Sequence, residues 1–148
     1  MSSSKDRKFT TRSTHYRQNF FKYNKPAFKG KYFCSYCGAL LHKKDITVDH
    51  LVSINSAKKK WLVRKYLMLK GYKSINDVKN LVPACERCNK RKGKKQGLWV
   101  IRGILGRNKW FWVAMRVLLI LIVIVAIYMV VKSDIFDEVL TFILGCIP

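Results

Sequence analysis

Acidic residues are scarce in this 148-residue chain: eight Asp and Glu stand against thirty Lys and Arg, for a formal net charge of +22. Pairing within the chain cannot neutralise such an excess, so a polyanion is expected nearby. The shortage is regional. Before residue 132 there are 29 bases but only five acids (Asp6, Asp45, Asp49, Asp77 and Glu86), a net charge of +24. Nucleic-acid phosphates and anionic lipid headgroups both answer that charge, and charge by itself does not choose between them. An apolar run near the N-terminus is also missing, because Met1 to Ser4 leads into Lys5, Asp6, Arg7 and Lys8. No secretory signal peptide is therefore expected, and the basic part is expected in the cytosol. Nor is there length for two domains with full cores.

Aliphatic residues are thin over residues 1–31, where bases mix with Phe9, Tyr16, Phe20, Phe21, Tyr23 and Phe28. The segment reads as a basic arm with no core of its own, whose aromatics dock on the domain or stack on bases. Mean hydropathy is near zero although 49% of residues are hydrophobic, so apolar and charged residues are segregated along the chain.

What the chain does contain begins at Tyr32-Phe33, a short strand running into Cys34-Ser35-Tyr36-Cys37-Gly38. The glycine suits a tight knuckle. Ile46-Thr47-Val48 reads as a strand ending at Asp49-His50, with the apolar alternation continuing to Ile54 as a second short antiparallel strand. Trp61 to Lys70 reads as a helix stopped by Gly71. Ser74 and Asp77 have the spacing of a capping box for a short turn up to Asn80. A last helix is expected over Glu86 to Lys95, weakened near its end by Gly93.

Cys34/Cys37 and Cys85/Cys88 form two Cys-x-x-Cys pairs separated by 47 residues. Four thiolates on two knuckles suit a closed, structural, tetrahedral zinc site; a redox pair or ordinary buried cysteines are the alternatives. Cys146 has no paired neighbour and reads as a small apolar residue.

Two runs stand beside these pairs: Val48-Asp49-His50-Leu51-Val52, and Asn80-Leu81-Val82-Pro83-Ala84-Cys85-Glu86-Arg87-Cys88-Asn89-Lys90-Arg91-Lys92-Gly93. Together they closely resemble the HNH endonuclease family in its zinc-binding, four-cysteine form. The resemblance covers residues 32–95, under half of the chain. It implies a ββα-metal fold in which a hairpin and a helix wrap one divalent ion. Position by position, it implies that His50 is the general base activating water, for which an imidazole titrating near neutrality is suited. Asp49 and Asn89 would be oxygen ligands of the catalytic ion, Mg²⁺ or another hard divalent cation. Asn80 would brace the loop that presents His50. Lys90, Arg91, Lys92, Lys94 and Lys95 are candidate phosphate contacts, although such a charge run is commonly a solvated face. The chain departs from the family pattern at Asn89, where many members carry His, at Ser53, where a proline often follows the dyad, and in the helix inserted over residues 56–73.

Residues 97–112 read as a linker or interfacial segment. Residues 113–131 follow as nineteen residues with Arg116 as their one charge, long enough to span a bilayer's hydrocarbon core. Trp110 and Trp112 stand where an interfacial aromatic belt would lie. The basic flank is N-terminal, which predicts a cytoplasmic domain and a single pass. Residues 132–148 form a short acidic, amphipathic tail suited to the membrane interface or to a membrane-protein partner.

The expected architecture is thus a small α+β, ββα-metal module over residues 32–96, stapled by a Cys₄ zinc site, with an arm before it and one transmembrane helix after it. The expected function is metal-dependent hydrolysis of nucleic acid, with DNA the first candidate, at a membrane. The competing expectation is a non-catalytic zinc module that binds nucleic acid or anionic lipid there.

Overall fold

A computed structural model describes residues 4–133 together with Glu138, Thr141, Phe142 and Gly145. Cys146 and most of the acidic tail lie outside the described residues. The chain is a small α+β protein that divides into two compact units, Met1–Trp112 and Val113–Pro148.

The centre of the first unit is an antiparallel pair, β3 (Thr47–His50) with β4 (Leu81–Ala84), in the register Thr47↔Ala84, Val48↔Pro83, Asp49↔Val82 and His50↔Leu81. Because successive strand residues point to opposite faces, Val48, His50 and Leu81 share one face, while Asp49, Val82 and Ala84 share the other. The first face packs on Phe20, Tyr32 and Ile46, and the second on Cys34, Tyr36, Leu51 and Cys88. The residues after His50 do not form the second strand that their alternation suggests. Leu51 and Val52 are buried in a bend, and Ile54 opens helix α3 (Ile54–Lys59), capped by Ser53 Oγ accepting from Ser56 N at 3.1 Å. A hydroxyl placed to cap a helix outweighs a short period-two pattern.

Residues 4–31 are built into this domain. They form α1 (Ser4–Thr10) and α2 (Tyr16–Tyr23), whose Phe9 and Phe20 are buried. Each phenylalanine contributes about 1.5–3 kcal/mol of burial, which is how a segment poor in aliphatics still completes a core. Phe9 joins Val52, Ala57, Leu67 and Ile75, a cluster between α1, α3 and α4 (Trp61–Leu69). Arg64 anchors α1 by donating from Nε to Asp6 Oδ1 at 2.8 Å.

Helix α4 ends as its glycine predicts, with Gly71 at φ 71°. The turn before Asn80 is capped differently from the expectation. Asp77 caps the 3-10 turn Val78–Asn80 by accepting from Lys79 N at 2.9 Å, and Ser74 Oγ takes only Asn76 N at 3.2 Å. Asp77 stands directly at the start of the turn, where its carboxylate reaches the orphan amide first.

Helix α5 (Glu86–Lys92) stops at Gly93, and α6 (Leu98–Gly106) follows. A side chain at Gly103 would meet Leu51 and Tyr36, and one at Gly106 would stand 2.0 Å from Ser35 O. These glycines let the α6 backbone lie directly on the domain, so residues 98–106 form an ordered helix within the stretch read as a linker or interfacial segment. Gly106→Ala should cost about 1–3 kcal/mol through overpacking, despite alanine's better helix propensity. Denaturant unfolding showing unchanged or raised stability would contradict this close approach.

Helix α7 (Lys109–Val131) is 23 residues long, with a most apolar window of mean hydropathy 2.9 and none of that window buried. Trp110 is exposed, but Trp112 packs against Gly38 and donates from Nε1 to Gly106 O at 2.8 Å. Of the two tryptophans expected in a belt, Trp112 therefore belongs in part to the domain.

Candidate metal centre and histidine site

The first knuckle hangs from a two-residue hairpin, β1 (Tyr32–Phe33) paired with β2 (Leu40–Leu41). Gly38 N donates to Cys34 O and Cys34 N to Ala39 O, each at 2.8 Å, with Gly38 at φ 73°. The second knuckle is the start of α5: Cys85 is its N-cap, and its sulfur accepts from Cys88 N at 3.4 Å. Ser35 N donates to Pro83 O at 2.8 Å, joining the two knuckles through β4.

All four Sγ atoms lie within 4.8 Å of one another, with Cys34 to Cys85 at 3.8 Å and Cys37 to Cys85 at 3.9 Å. Ligands at the Zn–S distance in a tetrahedron stand about 3.8 Å apart, so the cluster fits zinc in donor type and in spacing. Burial pushes the Cys34 thiol up to about 11, which means that a metal taking this site must displace protons.

Asp49 and His50 diverge from their strand. Asp49 faces α5, where its Oδ2 accepts from Tyr36 Oη at 2.5 Å and pairs with Lys92 Nζ at 2.9 Å. Lys92 Nζ also donates to His50 O at 2.8 Å. Lys92 is only 1% exposed, and this corrects the expectation that it grips phosphate: a buried ammonium committed to a half-buried carboxylate and a carbonyl is out of reach of a ligand. Lys90, Arg91, Lys94 and Lys95 remain exposed, with Lys90 paired to Glu86 at 2.5 Å. Burial and the Asp49 carboxylate together push the Tyr36 hydroxyl far above its ordinary range, keeping it a donor.

Removing one partner of a buried pair leaves an uncompensated charge. Lys92→Met should therefore cost about 3–5 kcal/mol, and adding Asp49→Asn should restore part of the loss. Chemical denaturation of the single and double variants checks this, and independent, additive losses would refute the coupling.

His50 faces α2. It is 6% exposed, its ring lies 5.2 Å from that of Tyr16, and the Arg12 guanidinium sits over the same tyrosine at 4.5 Å. His50 Nε2 stands 3.2 Å from Asn76 Oδ1. Two backbone groups orient that amide: Ser13 N donates to Oδ1 at 3.1 Å, and Nδ2 donates to Thr11 O at 2.8 Å. Oδ1 is therefore an acceptor, and the imidazole meets it as an Nε2–H donor. In the neutral ring, Nδ1 is then the unprotonated nitrogen. Burial lowers the His50 pKa below its ordinary value, partly offset by the Asn76 bond and Asp49 and reinforced by Arg12 and Lys92.

Asn80 is fully buried and ties the loop after His50. Its Oδ1 accepts from Val52 N at 2.9 Å, its Nδ2 donates to Ile75 O at 2.8 Å and Val52 O at 3.2 Å, and its carbonyl accepts from Leu51 N at 2.8 Å. Asn89 is half-buried on α5, one residue past Cys88. Among the described residues, the four cysteines are the one group of three or more Cys, His, Asp or Glu with metal-ligand spacing. Asp49 and Asn89 fit a hard cation in donor type, but the Lys92 ammonium already supplies Asp49 with a counter-charge.

Sequence reasoning missed Asn76, Tyr36, Tyr16 and Arg12. Asn76 sits in a Ser-Ile-Asn-Asp stretch that signals a turn and nothing more, and the other three stand in segments read as knuckle and arm. Comparisons with family models, with curated proteins and with solved structures found no match.

Proposed function

We propose that the chain is a membrane-anchored, metal-dependent endonuclease of the HNH type that hydrolyses phosphodiester bonds of DNA. The observation that carries this reading is His50, a buried imidazole held through Nε2–H by an amide whose own orientation is fixed by the backbone. Such a ring is ready to take a proton at Nδ1 from a water molecule. Asp49 and Asn89 are the residues to hold a divalent ion, which would stabilise the charge that develops on the phosphate. Asn80 keeps the backbone after His50 in place, so the ring does not have to be ordered at the moment of reaction. Exposed Lys90, Arg91, Lys94 and Lys95, with the general basic charge, would hold the nucleic-acid backbone.

The ββα-metal arrangement is supported by the β3–β4 pair followed directly by α5, with the cysteine cluster, proposed to hold zinc, fastening the helix to the strands. The length and exposure of α7 support a single membrane span, and the basic excess before it supports a cytoplasmic domain. Nicking of supercoiled plasmid by the purified full-length protein with Mg²⁺ tests the activity. Retention in the pellet after carbonate extraction tests the anchor.

A second reading is favoured by one observation, the pairing of Asp49 with Lys92 and Tyr36. A carboxylate so engaged suits a non-catalytic zinc module that binds nucleic acid or anionic lipid. Binding without any metal-dependent nicking would establish it.

A further inference from the structure

Two helices of the basic domain present apolar side chains outward. On α4, Leu67 is buried and Val63 half-buried, while Leu62 is 61% and Leu69 78% exposed and Tyr66 lies open beside them. On α6 the backbone at Gly103 and Gly106 rests on the domain, while Leu98 (82% exposed), Ile101 and Ile104 face away from it. Leu62, Tyr66, Ile101 and Ile104 line one shared hollow, so the two helices form one continuous face. A soluble monomer rarely leaves so many large aliphatics together. Packing against the domain does not explain them, because each helix already meets the core through its other side.

Two further observations identify the occupant. Lys60 lines the hollow, Lys58, Lys59, Lys65, Lys70 and Arg102, on or beside α3, α4 and α6, are exposed, and the unit is strongly basic throughout, so a partner rich in carboxylates or phosphates is favoured. In addition, Gly106 closes α6 three residues before Lys109 opens α7, a stretch that spans at most about 11 Å of chain. If α7 crosses the bilayer, α6 cannot be far from its surface. An apolar stripe edged by lysine and arginine is the composition of a helix that lies in the headgroup region of an anionic membrane.

We infer that the outer faces of α4 and α6 form a lipid-docking surface, which holds the basic domain flat on an anionic bilayer as a second attachment beside α7. The inference rests on reading α7 as a membrane span. Docking restricts the orientation of His50 relative to the membrane, and it uses the helix inserted between the two halves of the motif for attachment and not for chemistry.

The test is fluorescence of full-length protein reconstituted into vesicles of phosphatidylcholine and phosphatidylglycerol, with and without lipids brominated near the headgroup end of the acyl chain. Leu62→Trp, and separately Leu69→Trp, each add one indole at an exposed position, and subtraction of the wild-type spectrum isolates it. Unchanged zinc content serves as the check on folding. The added indole is expected to be blue-shifted and quenched by the brominated lipid, with the quenching weakened by salt or by omitting phosphatidylglycerol. In a Trp61→Phe background, which removes the exposed indole of α4, quenching of the remaining native emission, to which exposed Trp110 contributes, without quenching of the added indole would overturn the docking face and leave the anchor standing. Quenching of neither would remove both. A blue-shifted but unquenched indole would mean that a protein, such as a second copy of the chain, covers the face, and would also overturn the inference.

Discussion

His50→Ala should lower Mg²⁺-dependent plasmid nicking by about 10²–10⁴-fold, the usual contribution of a positioned general base, with zinc content unchanged. The size of the effect follows from the ring's setting. Asn76 holds the Nε2 side, Asn80 holds the backbone beyond it, and burial lowers the pKa of the imidazole. The pH profile adds a readout that a structural histidine would not move. A lowered pKa means that the neutral base persists as pH falls through 6.5, the ordinary value. Nicking should therefore hold at pH 6.5 and decline only at more acidic pH. An acid limb centred above 6.5, or nicking that survives the alanine substitution, would remove His50 from the mechanism. Asn76→Ala should lower the rate while leaving zinc and fold intact, because it frees the ring to take the other tautomer; Asn76→Asp keeps the acceptor and should rescue in part.

Cys85→Ser should release the metal and unfold the domain around the knuckles. Serine is itself a good N-cap, so the substitution spares the capping of α5 while removing a zinc ligand. The expected loss is large because structural zinc contributes apparent free energies of about 10–16 kcal/mol in small zinc modules near neutral pH. Losing the metal therefore removes a larger contribution than the roughly 0.5–3 kcal/mol of a usual point substitution. Elemental analysis should read less than one zinc per chain, and circular dichroism should show a lower and broader melting transition. Chelation of the wild type should reproduce both, more readily in acid, because protons compete for buried thiolates such as Cys34. Full zinc stoichiometry with unchanged melting in Cys85→Ser would show that the cluster is not a metal site.

Both expectations start from residues that stand out in the sequence, and both depend on partners that do not. The two Cys-x-x-Cys pairs, the glycine end at Gly71, the helix that follows Cys85 and the long apolar run of α7 are local features. They were legible because a knuckle, a helix stop or a membrane-length stretch is dictated by neighbouring residues and by backbone sterics. The resemblance that singled out Asp49, His50, Asn80 and Asn89 also came from contiguous runs. Nothing local, however, states that β3 pairs with Leu81–Ala84 and not with the residues just after it. Strand pairing is decided by which faces can be buried together.

The same reason separates the readings of charged and aromatic side chains. Lys92 lies in a run of bases, and sequence alone assigns all of them to solvent or phosphate. The tertiary structure buries this one because α5 passes over Asp49, where an ammonium is the available counter-charge. Phe9 and Phe20 sit in segments too poor in aliphatics to form a core alone, yet they complete a core supplied by α3, α4 and the strands. The sequence by itself determined the cysteine knuckles, the helices after Trp61 and after Cys85 and the apolar C-terminal run, since each is specified within a few neighbouring residues. Only the tertiary structure decided which face of the strand carries His50, that Asn76 orients it and that Lys92 neutralises Asp49, since these follow from contacts between segments 26 to 43 residues apart in the chain.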